Sequence, residues 1–247
     1  MIPTPSRAMA AQFEIAEARP SDAQAISSLF AVSWVSPFTQ LQFGKIDPSR
    51  MATSILPRIA ELLVKADSKF VIARHLETGE VVAVAQWTTP QGTETHKKNG
   101  ELEEDRIERQ QFEDEAYRRK LPEGSNKELI MAFTLGLRHL REEILQRREH
   151  FLLNNLATHP DYRGRGLASQ LIEWATLLAD EHQVLVYLET ASDNPAARLY
   201  KRHAFEEQGR FTIEDLTKYA TPEELKQFGC DTQHTHVAFL RFPRASQ

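Results

Sequence analysis

Hydrophobic positions along the chain alternate between a period of two and a period near 3.6, and the switches mark out strands and helices. Residues 13–18 alternate apolar and polar side chains and predict a strand that Arg19-Pro20 ends. Ser21 or Asp22 then caps a helix with Ala25, Ile26, Leu29, Phe30 and Trp34 on its apolar side. A second helix is predicted over 49–65 from Ile55, Ile59, Leu62 and Leu63, with Pro57 obscuring its start. The runs 69–75 and 81–88 predict two strands, and Thr78-Gly79 between them predicts a turn, so the pair reads as an antiparallel hairpin.

The pattern then breaks. Residues 90–125 are dense in Glu, Lys and Arg and poor in apolar side chains. They read either as a solvated helical excursion or as a lid that shapes a substrate site. A helix over 127–148 follows, with Leu129, Phe133, Leu137, Leu140 and Ile144 at helical spacing. Next come a strand at 151–157 and an amphipathic helix at 166–181 with Leu167, Leu171, Ala175 and Leu178 on its stripe. A buried strand at 184–189, a short helix at 194–203 and strands at 205–213 and 236–242 complete the chain. Strands alternating with helices predict an α/β layer fold. The simplest partition is a short disordered lead at 1–12 and one domain at 13–247, with residues 90–148 inserted between its halves.

Composition narrows the class. The 247 residues suffice for one sizeable core, and a formal charge of −5 argues against a protein that grips nucleic acid through bulk charge. Cys230 is the only cysteine, so neither an internal disulfide nor a cysteine zinc cluster is available. No secretory apolar run opens the sequence, and no stretch approaches the length needed to span a bilayer. A cytoplasmic protein without membrane attachment is expected. His234 and His236, with Asp231 nearby, lack a third spaced ligand, and no metal is expected.

The segment with specific chemistry joins the 151–157 strand to the 166–181 helix and reads Arg163-Gly164-Arg165-Gly166-Leu167-Ala168. The first amides of a helix have no internal partner and coincide with the positive end of its dipole, which together make an anion site. Gly164 and Gly166 let backbone approach a pyrophosphate, while Arg163 and Arg165 add fixed positive charge. The Gly-Lys-Ser/Thr ending of a P-loop is missing, and two glycines fall short of the dinucleotide fingerprint.

The run from Leu156, Ala157 and Thr158 through Arg163, Gly166 and Ala168 to Ser169 resembles the acetyl-CoA motif of the GCN5-related N-acetyltransferase (GNAT) superfamily. The likeness continues through Asn194-Pro195-Ala196-Ala197-Arg198-Leu199-Tyr200 and Ala204-Phe205, where Ala204 replaces the usual glycine. It is strong over 151–205, weaker over 13–88 and absent over 90–125. It implies a central mixed sheet flanked by helices, with a charged helical insertion, and acetyl-CoA wedged between two splayed parallel strands. The backbone of Leu156 and Thr158 would hold the pantetheine arm, and the amides from Arg163 to Ala168 would hold the pyrophosphate. Ala157, Ser169, Asn194, Ala197 and Tyr200 complete the implied cofactor set.

The resemblance further implies an acetyl-CoA-dependent acyltransferase in which an amine attacks the thioester directly, so Cys230 is not needed as a nucleophile. Tyr200 matches a tyrosine near the CoA sulfur and is the candidate acid, since a phenol near pKa 10 suits donation to a thiolate. A tyrosine merely packed beside Leu199 is the competing reading. His150 stands where several relatives carry a glutamate that acts as base through water, and an imidazole near pKa 6.5 suits that work. It also reads as a histidine at a helix C-terminus. Glu189 ends the next strand and reads either as a base or as a strand-end carboxylate. One of Asn154 and Asn155 is expected to face the cleft, and Asn194 is expected to cap the helix at Pro195 as well as touch the cofactor. The acceptor is expected to be a small amine in an enclosed apolar or acidic pocket near Trp87 and the inserted residues 90–125. A protein or peptide acceptor in an open groove, and a non-catalytic acyl-CoA sensor, stand as alternatives.

Overall fold

The computed structural model describes residues 12–90 and 103–244. The expected N-terminal lead, apart from Gln12, and residues 91–102 of the charged stretch lie outside the described residues. Strands β1 (Phe13–Glu17), β2 (Ser68–His75), β3 (Val81–Thr88), β4 (His150–Thr158), β5 (Leu185–Ala191), β6 (Glu206–Ile213) and β7 (His234–Arg241) form one sheet in the order β1-β2-β3-β4-β5-β7-β6. Every neighbouring pair is antiparallel except β4 and β5, which run parallel. The sheet is therefore mixed, as the resemblance implies.

Eight helices accompany it among the described residues: α1 (Ala23–Ser33), α2 (Pro37–Phe43), α3 (Pro48–Leu63), α4 (Glu103–Lys120), α5 (Lys127–Leu145), α6 (Leu167–His182), α7 (Ala197–Arg202) and α8 (Pro222–Phe228). The start of α3 is plain: Asp47 accepts hydrogen bonds from the amides of Ser49 and Arg50, and Pro48 occupies the first turn. Pro57 lies inside this helix. Burial of Met51, Ala52 and Ile59 holds the helix across it. The apolar periodicity does not reveal α2 and α8, which are only seven residues long, but their caps are legible. Ser36 accepts from the Thr39 amide, and Thr221 and Glu224 form a capping box. Helix α5 ends three residues earlier than its periodicity predicts, because Gln146 and Arg147 take positive φ angles of 49° and 62°.

The two faces of the sheet carry different work. On the back, α6 buries Leu171, Ile172, Ala175 and Ala179 against Trp87, Phe151, Leu153, Val186 and Leu188, and Tyr200 and Phe205 join the same core. On the front, α1 and α3 cover β2 and β3 through Ile26, Leu29, Phe30 and Ile59. Helix α5 covers the front of β5, β7 and β6, burying Leu140 and Leu145 against Leu152, Tyr187 and Leu240. A satellite core joins α2, α5 and α8 around Phe38, Leu129, Ile213 and Leu216. The charged helix α4 lies on α5, tied by Arg138 to Asp114 at 2.6 Å and 2.7 Å.

Helix α5 reaches β6 because Gly136 has no side chain: a Cβ there would stand 2.0 Å from Cζ of Phe211. Alanine favours a helix interior over glycine by about 1 kcal/mol, so packing and propensity oppose each other at this position. We expect Gly136→Ala to destabilise the fold by about 1–2 kcal/mol as Phe211 is displaced. Urea unfolding of Gly136→Ala in the native and the Phe211→Ala backgrounds checks this, with the penalty shrinking in the second.

One buried histidine, His150, and two half-buried ones, His234 and His236, give the fold a pH limit. Desolvation lowers His150 to about 4 and His234 to about 4. Desolvation, with His234 as a second cause, lowers His236 to about 3. His234 stacks on Phe38 at 3.5 Å, and His236 meets the edge of Phe133 at 4.6 Å. Because the folded values lie below the unfolded value near 6.5, the unfolded chain takes up protons first on acidification. Stability is complete above about pH 6.5 and falls as pH drops from there toward 4, by about 2 kcal/mol per histidine at pH 5. Thermal melts at pH 7.5 and 5 should show this loss, and His236→Phe should make it smaller.

Candidate active site

The site begins where β4 and β5 separate. Their parallel register runs from His150↔Leu185 to Leu153↔Leu188 and stops there, although β4 continues to Thr158 and β5 to Ala191. Beyond Leu153 the edge of β4 facing β5 has no strand partner, which opens a slot through the sheet. At the same point β4 bulges against β3: Trp87 pairs with Leu153 and Gln86 with Asn155, leaving Asn154 over. The bulge reverses side-chain parity. Before it, Leu152 packs on the front and Leu153 on the back; after it, Ala157 faces the front core and Leu156 the back.

The lower half of β4 leads into the glycine loop. Gly164 and Gly166 both take positive φ, 75° and 76°, and a Cβ on either would meet nothing within 4 Å. The conformation therefore excludes ordinary side chains while the space around it stays open. Gly166 caps α6, whose first amides point out of the helix. Among the described residues, no acceptor takes the amides of Gly164, Arg165, Gly166, Leu167, Ala168 or Ser169. Arg163 donates to the Thr158 carbonyl at 3.4 Å, and Arg165 to the Asp161 carbonyl at 3.4 Å. Arg165 also lies over the Tyr162 ring at 5.1 Å. The donor set, a row of six unpaired amides flanked by two guanidinium groups, fits a pyrophosphate.

On the back, α7 closes against α6 through the Ser169 hydroxyl and His203 Nε2, 3.1 Å apart. The Asn194 side chain accepts from the Ala196 amide at 3.0 Å and donates to Thr190 at 2.8 Å, which fixes the turn entering α7. Ala197 opens that helix and Tyr200 lies on its buried side, near Phe205 and Phe239. Burial pushes the Tyr200 phenol up to about 12. Unlike the hydroxyls of Ser33, Ser68 and Tyr187, it is not a sealed, unpaired group. Ala204 keeps the turn expected of a glycine, at φ 62°, a strained conformation for a residue with a Cβ.

On the front, a cleft with two arms stands over the bulge. One arm, of about 650 Å³, is bordered by α3, α4, α5 and the first half of β4. The other, of about 530 Å³, is bordered by Trp34, Phe43, Met51, Ile55, Tyr117 and Leu121. Arg58, Leu62, Gln86 and Asn154 border both. Both asparagines of β4 reach this region: Asn154 donates to Thr88 at 2.8 Å and Asn155 to Gln86 at 2.8 Å. His150 borders the larger arm, its Nδ1 donating to the Arg148 carbonyl at 2.8 Å, so Nε2 carries the lone pair. Glu189 faces the same side of the sheet, gripped by Arg141 with contacts from 2.8 Å to 3.1 Å. Trp87 is not at the cleft. It is wholly buried in the back core, because residues of β3 alternate and Gln86 and Thr88 take the front.

Several cleft residues escape the sequence reading. Arg58 sits on the polar edge of α3, and Arg138 and Arg141 sit on the flank of α5 beside its apolar stripe. Such positions look like solvated helix faces until another helix is laid across them. Gln86 carried a usable signal, as a polar side chain within an otherwise apolar strand.

Residues 129–207 match the family described as the acetyltransferase (GNAT) domain. Among curated proteins, none matches this chain in sequence. Arylalkylamine N-acetyltransferase 2 from Aedes aegypti superposes with a TM-score of 0.60 at 14% identity, covering 94% of this chain and 99% of that one. The polyamine N-acetyltransferase of Drosophila melanogaster gives 0.56 at 14% identity, covering 93% and 99%. A structure from Corynebacterium glutamicum, described as histone acetyltransferase HPA2 and related acetyltransferase, gives 0.52 at 18% identity, covering 96% and 99%. The splayed strands, the amide loop and the matching segment agree: residues 129–207 match the acetyltransferase (GNAT) domain family, and the chain shares its fold with solved N-acetyltransferases.

Proposed function

We propose that this enzyme transfers the acetyl group of acetyl-CoA to the primary amine of a small molecule in a ternary complex, without an acyl-enzyme. The observation that carries the reading is the slot between β4 and β5, with an amide loop below it, a bounded cleft before it and a tyrosine-bearing helix behind it. A bounded cleft favours a small acceptor over a polypeptide. Neighbours of the same fold named for polyamine and arylalkylamine substrates support the same class. The single domain at 13–247 with its inserted helices, and a cytoplasmic location with ready acetyl-CoA, belong to this proposal.

In this reading Leu156, Ala157 and Thr158 offer backbone groups to the pantetheine arm. The loop from Arg163 to Ser169 takes the pyrophosphate, and Asn194, Ala197 and Tyr200 border the sulfur end. The neutral amine attacks the thioester carbonyl, the new N–C bond forms and the C–S bond breaks. A backbone amide at the free edge of β4 steadies the oxyanion. His150 relays the ammonium proton through water. At about 4 its imidazole is neutral throughout the working range, and so weak a base passes the proton on rather than keeping it. Glu189, ion-paired with Arg141 at 2.8 Å, orders the same region. Tyr200 returns a proton to the departing thiolate; a phenol near 12 remains protonated at every operating pH.

Release of free thiol from acetyl-CoA, measured with polyamines, amino acids, arylalkylamines and short peptides, tests the proposal. Release with a small amine class is expected, and release with peptides alone would favour the polypeptide alternative. Binding of acetyl-CoA without release would favour a sensor. Tyr200→Phe should lower turnover at least tenfold while leaving acetyl-CoA affinity nearly unchanged, and undiminished turnover would remove Tyr200 from the chemistry.

A further inference from the structure

The two arms of the front cleft differ in chemistry, and the difference specifies an acceptor, on the premise that the chain acetylates small amines. The larger arm is bordered by Arg58, Lys65, Arg106, Arg138, Arg141 and Arg147 against only two carboxylates, Asp67 and Glu142. Some of these cations hold acids beyond the border: Arg138 grips Asp114, Arg141 grips Glu189, and Lys65 lies 3.7 Å from Glu61. Arg106 lies 3.6 Å from Glu142 on the border itself.

Arg58 is the best placed of the cations. It makes no hydrogen bond or ion pair among the described residues, and it stands at the junction of the two arms. The second arm is apolar and aromatic, through Trp34, Phe43, Met51 and Ile55. Between the arms lie Gln86 and Asn154, at the bulge where the slot opens.

We infer that the acceptor is an amino acid-like molecule, a primary amine that also carries a carboxylate and an apolar or aromatic group. The carboxylate lies in the basic arm toward Arg58, and the hydrocarbon lies against Trp34 and Phe43. The amine sits between them over Gln86 and Asn154, facing the slot. A guanidinium suits a carboxylate, whereas a polyamine would carry its further positive charges into an arm already rich in cations. The products are the N-acetylated acid and the free thiol of CoA.

The test uses the full chain with acetyl-CoA and reads kcat/KM by thiol release for phenylalanine, for phenethylamine, its counterpart without the carboxylate, and for spermidine. Phenylalanine should exceed phenethylamine at least tenfold, and spermidine should be slowest. R58E should erase the preference, bringing the ratio to about one or below. As a check that needs no variant, 3-phenylpropionate should inhibit competitively against the acceptor, and 3-phenylpropanol should not at the same concentration. Equal or better use of phenethylamine, a preference that survives R58E, or absence of inhibition by the acid overturns this inference and leaves the acetyltransferase reading intact. Absence of thiol release with every amine overturns both.

Discussion

The parting of β4 from β5 after Leu153 and Leu188 is the constraint on which the site depends. Two parallel strands that stayed paired would satisfy their backbone groups and close the sheet. Here β3 keeps β4 in place along its whole length, while β5 is drawn toward β7, with which it pairs from Val186 to Ala191. Each strand is thus secured on its outer side, and the inner edge is free without loss of the core. The bulge at Asn154 coincides with the separation and turns the next residues over. That is why a sheet sealed behind by α6 can still present polar groups in front at the mouth of the slot.

Legibility differed between the two halves of the chain for physical reasons. The glycine loop could be read because its chemistry is local. Positive φ at Gly164 and Gly166 and a helix beginning at Leu167 are properties of a few adjacent residues. The strands and long helices were legible from periodicity, and α5 was placed to within three residues at its end. The cleft was not legible, because its borders come from Trp34, α2, α3, α4, α5 and β2 to β4, brought together only by packing. The expectation of a pocket beside Trp87 failed in its place, and its apolar character holds for only one arm of the cleft. Parity along β3 sends Trp87 to the back, and α4 lays its charged side over the polar flank of α5, so arginines border the space.

The pair of asparagines shows where a pattern misleads. In the run from Phe151 to Ala157, two adjacent polar residues in a strand imply that one faces the cleft and the other faces away. The extra residue of the bulge removes that choice, and both reach the front, one to Thr88 and one to Gln86. A bulge is a relation between two strands and has no signature in one of them alone. The same holds for Ala204, whose left-handed backbone is imposed by the closure of α7 against β6 and not by its own preference. The turn survives the loss of glycine because Tyr200 and Phe205 are both buried in one core on either side of it.

The charges at the site divide along the sheet. The glycine loop and the front cleft both carry arginines, and between them lies the slot where the pairing of β4 with β5 stops. Histidines near it are held neutral by burial, and Tyr200 is held protonated. An amine must lose its proton before it attacks, and a neutral surrounding with cations nearby lowers the cost of that loss, since each positive neighbour disfavours an ammonium. On the proposed reading the arginines would serve two ends through one field, drawing the acidic end of an acceptor inward and easing deprotonation of the amine it carries. A single general base of ordinary strength is then not required, which accords with an imidazole as weak as His150 standing where a base is expected.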